Sequence, residues 1–386
     1  MRCNFDAADK SQVVAKLGAA DQVETVDNFE TTRQQPWHWR GFMLDVVRHF
    51  FNVEQVKSVI DLCHYFQLNR LHLHLSDDQG WRLEIPGWPE LTQHSSATAV
   101  GGAEGGYYTI EQWQELRAYA ADRGIVLVPE IDIPGHTNAA LHAVAGLNPD
   151  AHCAAPYYGT DVGFSTLTLA APDTRQFVED VFTYLTQISD GWVHIGGDES
   201  HVTSAEDYRD IVTLAVRTVH AQGARVVAWQ EAADLLEPGD VVQVWAPARD
   251  GERVASAAQR GVRVLASPGP AVYFDMKYYP QDRLGITWAG LVTSEVVRTW
   301  DLVDSLPGVP AEAYLGVEAA LWTETVVTTA DLFTMLLPRM VPFAAIAAGE
   351  RLEAEEMWER IRSQIPTWQA RGWSWYQEPE LKGEDD

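Results

Sequence analysis

The stretch WVHIGGDESH, residues 192–201, contains one complete strand-to-loop transition. Its apolar start predicts a buried strand, which breaks at a glycine pair and leads to two neighbouring carboxylates, Asp198 and Glu199. Amphipathic helical patterns precede it at 173–189 and follow it at 205–223. The stretch therefore predicts one unit of an alternating β/α fold, with polar residues at the carboxyl end of its strand.

The same alternation repeats along the chain. Strand-like segments recur eight times between helical segments, near Gly41, Leu71, Val126, Val193, Val226, Val242, Val264 and Gly316. Eight such units predict a single (β/α)8 TIM barrel of the α/β class. An open doubly wound sheet is the alternative, but no glycine-rich phosphate turn follows the first strand. We expect a short N-terminal extension at 1–38, the catalytic barrel at 39–376 and an acidic tail at 377–386.

The composition excludes several classes of partner. The 386 residues include 28 Lys and Arg against 55 Asp and Glu, a formal net charge of −27. Nucleic acids and anionic membranes both require a basic face, so neither is expected as a partner. The three cysteines have neither metal-ligand spacing nor the pattern of a disulfide framework. No signal-peptide pattern is visible, which predicts a cytoplasmic protein, or a secreted one if a signal has been removed.

Polar and aromatic residues follow the predicted strands at their carboxyl ends, where barrel enzymes carry their active sites. In chain order these are Arg48-His49, Asp77-Asp78, Asp132 with His136, Asp198-Glu199, Trp229 with Glu231, Trp245, Tyr273 with Asp275, and Trp322 with Glu324. Carboxylates and an arginine bind hydroxyl groups, and indole rings stack on sugar faces. This set of residues predicts a neutral polyol as the ligand.

The adjacent carboxylates Asp198 and Glu199 raise a geometric problem, because neighbouring side chains of a strand point to opposite faces. Glycoside cleavage uses two carboxyl groups, but adjacent residues seldom have the separation that a nucleophile and an acid require. Both can act if Glu199 protonates the leaving oxygen while Asp198 orients a nucleophile that belongs to the substrate. A 2-acetamido group could supply this nucleophile through its carbonyl oxygen.

Eight segments in this order carry a family resemblance: WRGFMLDVVRHF, LHLHLSDDQGWR, VPEIDIPGHT, HIGGDE, AWQE, VYFDMKY, TWAG and ALWTE. They resemble the β-N-acetylhexosaminidases of glycoside hydrolase family 20, over about residues 39–324. The resemblance implies an exo-acting enzyme that hydrolyses terminal non-reducing N-acetyl-β-hexosaminides with retention. Family 20 is an established substrate-assisted exception to the two-carboxylate scheme, with an oxazolinium intermediate. It implies no cofactor, no metal, and a small oligosaccharide or glycoconjugate as partner.

The resemblance also implies a role for each site residue. Glu199 would be the general acid and then the base, and Asp198 would hold the acetamido N–H and stabilise the cyclic intermediate. Asp77 and His136 would tune and orient Glu199. The substrate-binding residues would be Tyr273 at the acetamido oxygen, Trp229, Trp245 and Trp322 around the methyl group and sugar ring, Arg48, Glu324 and Asp275 at the ring hydroxyls, and Trp288 beyond the scissile bond.

Three alternatives stay open. A metal-dependent barrel hydrolase could gather His72, His74, Asp77, Asp132, His136 and Asp198, although no close histidine pair ends the first strand. A carbohydrate-binding barrel without turnover would be favoured if Asp198 or Glu199 were missing. A disaccharide-releasing glycosidase with lacto-N-biosidase-like specificity is the third. The insertions at 80–106 and 149–172 are expected to set leaving-group specificity.

Overall fold

The computed structural model describes residues 37–302, 306 and 308–381. Eight parallel strands form a closed barrel: β1 (Trp39–Asp45), β2 (Arg70–His74), β3 (Val126–Glu130), β4 (Trp192–His194), β5 (Arg225–Trp229), β6 (Val241–Val244), β7 (Arg263–Ala266) and β8 (Tyr314–Leu321). Each strand pairs with its sequence neighbours, and β8 pairs with β1. The predicted (β/α)8 barrel and its eight strands are confirmed. Most of the expected N-terminal extension lies outside the described residues.

Helices connect and cover the strands. They are α1 (Val53–Tyr65), α2 (Glu90–Ser95), α3 (Ile110–Ala121), α4 (Asn138–Ala143), α5 (Thr174–Ile188), α6 (Ala205–Ala221), α7 (Gly251–Gln259), α8 (Gly269–Val272), α9 (Ser294–Thr299), α10 (Thr329–Leu336), α11 (Met340–Ala347) and α12 (Ala354–Arg371). Capping boxes at Asn52, Thr109 and Thr328 begin α1, α3 and α10. In the described part of the chain no single helix has the length and apolarity to cross a membrane, and α10 and α11 meet these criteria only as a pair bent by 58°.

The interior of the barrel is layered. Trp39, Val128, Val227, Val241 and Leu265 form a buried apolar cluster of their own, separate from the core beneath the helices. Four of them come from the alternate strands β1, β3, β5 and β7, as is typical of one layer in such barrels, and Val241 of β6 belongs to the same cluster. This layer is an apolar floor beneath the polar groups described next.

Polar side chains occupy the next layer of the interior. Glu318 of β8 contacts residues of strands that are not its neighbours, because its Oε1 accepts from Gln243 Nε2 at 3.0 Å and lies 2.9 Å from His72 Nδ1. Its Oε2 accepts from Trp39 Nε1 at 2.7 Å. A Cβ at Gly41 would lie 2.1 Å from the same oxygen, so glycine is required where this carboxylate crosses β1.

The C-terminal segment differs from its prediction. The acidic tail was expected to begin at 377, yet Glu378 is buried, and it accepts from Ser294 N at 3.3 Å and from Ser294 Oγ at 2.5 Å. Next to it, Tyr376 stacks on Tyr278 with ring centroids 4.0 Å apart. The prediction that an acidic tail begins at 377 is wrong at Glu378, because its carboxylate is buried and caps the start of α9. Residues 382–386 lie outside the described part of the chain.

Removing this cap should destabilise the protein. We expect Glu378→Ala to lower the free energy of unfolding by about 1–3 kcal/mol, because it leaves the buried Ser294 N–H and hydroxyl without a partner. Glu380→Ala, at an exposed position two residues away, is the matched control and should have little effect. Urea unfolding of both variants measures the difference, and equal midpoints would show that Glu378 contributes nothing as a cap.

Candidate active site

The backbone that follows β4 is left-handed at three positions. The φ angle is 70° at Gly196, 110° at Gly197 and 42° at Glu199. Glycine adopts this region freely, whereas a residue with a Cβ is uncommon there. A Cβ at Gly196 would lie 1.8 Å from Asp132 Oδ1, so the close packing also requires glycine. Because the turn breaks the alternation of a strand, Asp198 and Glu199 can point into the same space.

The two carboxylates face one imidazole. His136 Nε2 lies 3.8 Å from Asp198 Oδ2 and 3.7 Å from Glu199 Oε2. The Asp198 side chain is 11% exposed and the Glu199 side chain 23% exposed, so the pocket opens to solvent on the Glu199 side. The structure thus brings together the two residues for which the sequence predicts separate roles on one substrate.

The surroundings of Glu199 suit a proton donor. Burial, and then the neighbouring Asp198, raises the pKa of Glu199, while His136 and Arg48 oppose the shift. A raised pKa keeps the carboxyl protonated where an ordinary glutamate is ionised, as a general acid requires. Burial and Asp198 also raise the pKa of Asp132 well above its usual value. Burial and the neighbouring Asp198 thus favour the neutral form of Asp132.

Asp77 joins both sides of the pocket. Its Oδ2 lies 2.6 Å from Arg48 Nη2 and 3.0 Å from His74 Nε2, and its Oδ1 lies 3.2 Å from His136 Nδ1. Burial alone would raise the pKa of Asp77, but Arg48 and His136 hold it well below its usual value. As an anion, Asp77 orients the imidazole that faces Glu199 and fixes the Arg48 guanidinium on the opposite side. These contacts agree with the predicted orienting role of Asp77 and His136.

Five aromatic rings form a continuous wall. The ring centroids of Trp229 and Trp322 are 6.1 Å apart, and Tyr273 lies 6.4 Å from Trp322 and 5.8 Å from Trp288. Trp245 completes the series at 5.5 Å from Trp288. Trp229, Tyr273 and Trp245 are buried, whereas Trp288 is 52% exposed. The wall runs from the bottom of the pocket to its mouth, as stacking on a sugar would require.

The predicted hydroxyl-binding residues lie around Trp322. The Arg48 guanidinium lies over its ring, 4.8 Å from the centroid, and the backbone N–H of Trp322 is 3.5 Å from Asp275 Oδ1. Burial and then Glu324 raise the pKa of Asp275 well above its usual value. Burial also raises the pKa of Glu324, and Arg48 opposes this shift. Glu324 therefore interacts electrostatically with Asp275 on one side and with Arg48 on the other.

Several buried polar atoms of this region lack a protein partner. They are Arg48 Nε, His136 Nε2, Asp198 Oδ1 and Asp275 Oδ2. Unsatisfied buried groups are costly and therefore rare in folded proteins. Their concentration in one pocket indicates that a polar ligand completes the hydrogen bonding.

Two residues at the site were missing from the predicted set. Glu231 Oε2 accepts from Trp245 Nε1 at 3.3 Å, and burial and Asp198 raise its pKa to about 8. The sequence indicated Glu231 only through its position at the end of a strand. Glu130 accepts from Trp229 Nε1 at 2.9 Å. The sequence indicated Glu130 only as a charged residue within the apolar run VLVPEID, and it could not show which residues Glu130 contacts.

Within the part of the chain that the structure describes, four groups of three buried side chains have the proximity that a metal site needs: His72, Glu130 and His194; His74, Glu130 and Asp132; Asp77, Asp78 and His136; and Asp132, His136 and Asp198. In the first three, Glu130 or Asp77 already accepts from histidine or arginine. The fourth retains unpartnered atoms on all three residues. It is the group best suited to a cation, and it is also where the carboxylate pair faces the pocket.

A parallel barrel that holds a carboxylate pair and an aromatic wall at the carboxyl ends of its strands defines a carbohydrate-cleaving enzyme. The model of the glycosyl hydrolase family 20 catalytic domain matches residues 37–351. A β-N-acetylhexosaminidase of Cellulomonas fimi is 42% identical over 374 residues, which cover 96% of this chain and 75% of the relative. The chain belongs to glycosyl hydrolase family 20.

Solved structures agree with this assignment. The family 20 β-N-acetylhexosaminidase from Streptomyces coelicolor superimposes with a TM-score of 0.86 at 41% identity, covering 90% of this chain and 72% of that one. A mutant β-hexosaminidase of Streptomyces plicatus, solved in complex with the product GlcNAc, has the same TM-score and identity and covers 90% and 71%. Both support the barrel fold.

The left-handed turn should be essential for activity. We expect Gly196→Ala to lower kcat/KM at least about 100-fold, because its Cβ would displace Asp132 and with it Asp198. Gly223→Ala is the matched control, since Gly223 has a φ of 84° but nothing within 4 Å of a Cβ. The control should lose about 1 kcal/mol of stability and keep its activity. Equal activity of the two variants would contradict the account of the turn.

Proposed function

We propose that the protein is an exo-acting, retaining β-N-acetylhexosaminidase in which Asp198 and Glu199 act on different atoms of one substrate. The observation that carries the proposal is the pair of carboxylates facing His136 Nε2 at 3.8 and 3.7 Å within a pocket lined by aromatic rings. Membership of family 20, whose enzymes use the substrate's acetamido group as nucleophile, supports it. The substrate class is a small oligosaccharide or glycoconjugate with a terminal N-acetylhexosamine.

In the first step the substrate's acetamido oxygen attacks the anomeric carbon. The carbon–oxygen bond to the leaving group breaks, and Glu199 transfers its proton to the departing oxygen. Asp198 accepts the acetamido N–H and stabilises the positive charge of the oxazolinium ion. Tyr273 donates its hydroxyl hydrogen to the acetamido oxygen, and this contact orients the nucleophile.

In the second step a water molecule attacks the same carbon. Glu199, now ionised, accepts a proton from the water, and the bond between the anomeric carbon and the acetamido oxygen breaks. Two displacements at one carbon give overall retention, and Glu199 ends the cycle protonated again. Neither step requires a Lewis acid or a cofactor.

The remaining residues bind the sugar. Arg48, Glu324 and Asp275 bind the ring hydroxyls. Trp229, Trp245 and Trp322 enclose the methyl group and the ring. Trp288, half exposed at the mouth of the pocket, faces the group beyond the scissile bond. A non-catalytic binding barrel is not favoured, because both carboxylates are present and share the pocket.

The two carboxylates should respond differently to the leaving group. Glu199→Gln removes the proton donor, so it should cost orders of magnitude with a disaccharide but far less with an activated aryl glycoside, whose phenolate needs no proton. Asp198→Asn weakens support of the forming charge, a deficit of about 2–4 kcal/mol that is the same for both leaving groups.

First-step rates across a series of aryl N-acetyl-β-glucosaminides measure this difference. The account predicts a steep dependence on leaving-group pKa for Glu199→Gln and a shallow, wild-type-like dependence for Asp198→Asn. A steeper dependence for Asp198→Asn would mean that the roles are reversed.

A further inference from the structure

Five buried residues form a column of alternating charge in the barrel interior. Glu318 Oε1 lies 2.9 Å from His72 Nδ1, and His72 Nε2 lies 3.0 Å from Glu130 Oε2. The same Glu130 oxygen lies 2.5 Å from His74 Nδ1, and His74 Nε2 lies 3.0 Å from Asp77 Oδ2. All five side chains are at most 1% exposed. We call Glu318, His72, Glu130, His74 and Asp77 the charge column.

The geometry constrains the protonation of the two histidines. A neutral imidazole donates from one ring nitrogen and accepts at the other, whereas an imidazolium donates from both. Each nitrogen of His72 and of His74 faces a carboxylate oxygen, and an ionised carboxylate can only accept. Both histidines are therefore cations if their three carboxylate partners are ionised.

The central carboxylate accepts three hydrogen bonds. Besides its two contacts with the column histidines, Glu130 accepts from Trp229 Nε1 at 2.9 Å. His194 Nδ1 also lies 2.8 Å away, but this nitrogen accepts from Gly196 N–H at 3.0 Å. Trp229 is part of the aromatic wall, so the same carboxylate that joins the column also fixes the pocket. A buried carboxylate with three donors is stabilised as an anion.

The charge column ends at Asp77, which His136 connects to the proposed general acid Glu199. Asp77 Oδ1 contacts His136 Nδ1 at 3.2 Å, and the other ring nitrogen, Nε2, is 3.7 Å from Glu199 Oε2. We propose that His72 and His74 are permanent imidazolium cations and that His74 is a positioning residue, which acts through Asp77 and His136 to set the proton affinity of Glu199. This inference rests on the proposed role of Glu199 as the acid.

Other titratable groups face the column from the elements packed against it. They are His194 on β4, Asp132 after β3, Arg48 after β1, Asp78 and Glu324 near Asp77, His136, and Cys63 of α1 near Glu318. Glu199 itself is faced by Asp198, His136, Arg48 and His201. Arg48 and His136 also hold Asp77 as an anion. Removing one histidine of the column therefore removes a positive charge but leaves Asp77 ionised.

The directions of the pKa shifts agree with this arrangement. Burial alone would lower the pKa of both histidines, but Glu130 and their second carboxylate partners raise it to about 9 for His72 and about 10 for His74. Burial lowers the pKa of His194, which lies at the side of the column and shares only one carboxylate with it. The two histidines that lie between two carboxylates, His72 and His74, are thus the charged ones, and His194, which contacts one carboxylate, is the neutral one.

A charge column of this kind has a use in the proposed cycle. Glu199 must be protonated in the first step and ionised in the second, so its pKa must lie close to the pH at which the enzyme works. Burial and Asp198 raise it, and His136 lowers it. By holding Asp77, and through it His136, in one state of charge, the column keeps this balance constant while Glu199 changes its own charge.

The protonation claim can be tested on the unmodified protein. In long-range 1H–15N spectra of protein labelled at histidine, at least three imidazoles, those of His72, His74 and His136, should stay doubly protonated at about pH 8.5, where an ordinary histidine is neutral. Loss of one of these signals in His74→Gln assigns it. Fewer than three doubly protonated imidazoles at that pH would place protons on the carboxylates and overturn the proposal. This result does not depend on enzymatic activity, so it is separable from a failure of the proposed function.

The link to Glu199 is tested by the pH dependence of kcat/KM. His74→Gln removes one positive charge near Glu199, which disfavours the ionised form of Glu199 and raises its pKa. The basic limb of the kcat/KM profile should therefore move to higher pH by about half a pH unit or more. His220→Gln is the matched control, because His220 also lies between two carboxylates, at 2.8 Å from Asp240 and 3.3 Å from Glu237. It lies near the end of α6, and Asp240 comes directly before β6, at the opposite end of that strand from the site. This control should leave the limb in place.

A merely structural role for His74 would lower activity without moving the limb. An unmoved limb in His74→Gln therefore overturns the positioning role, even if the spectra show the imidazolium. Should His74→Gln not fold, the spectra of the unmodified protein still decide the protonation claim on which the proposal depends.

Discussion

The left-handed backbone between β4 and Ser200 is the constraint on which the site depends. In a regular strand Asp198 and Glu199 would point to opposite faces, one into the barrel and one away from it. The φ angles of 70°, 110° and 42° at Gly196, Gly197 and Glu199 rotate both into one pocket. A non-glycine residue in this region is held there by its surroundings, and such strain is concentrated at functional sites. The Glu199 conformation is consistent with this pattern.

The interior of the barrel is built to support this turn. Branched apolar residues usually fill such barrels, and here they form only the floor, while histidines and carboxylates occupy the layer above it. Burying charges costs free energy unless each is paired and hydrogen-bonded. Glu130 meets this condition through three hydrogen bonds, from His72, His74 and Trp229. The polar layer therefore holds the acid's partners and the pocket wall in one rigid arrangement.

Much of this architecture could be predicted from local pattern. The eight strands followed from apolar runs between helical segments, and the strand ends identified Arg48, Asp198 and Glu199 because parallel strands of a barrel deliver their ends to one face. The charge column could not be predicted, since Glu318 and His72 are 246 residues apart and meet only when the barrel closes. The burial of Glu378 was missed for a related reason: acidic composition predicts exposure, and only the fold supplies Ser294 as its partner.

In the proposed mechanism the substrate, and not the protein, supplies the nucleophile. Aryl β-glucosaminides carrying N-acetyl, N-fluoroacetyl, N-difluoroacetyl and N-trifluoroacetyl groups test it most directly, because fluorine makes the carbonyl oxygen a weaker nucleophile while the leaving group stays the same. The account predicts that kcat falls stepwise with each added fluorine and that the product forms with retained configuration. A kcat that is independent of fluorination, or comparable turnover of a β-glucoside without the acetamido group, would contradict it.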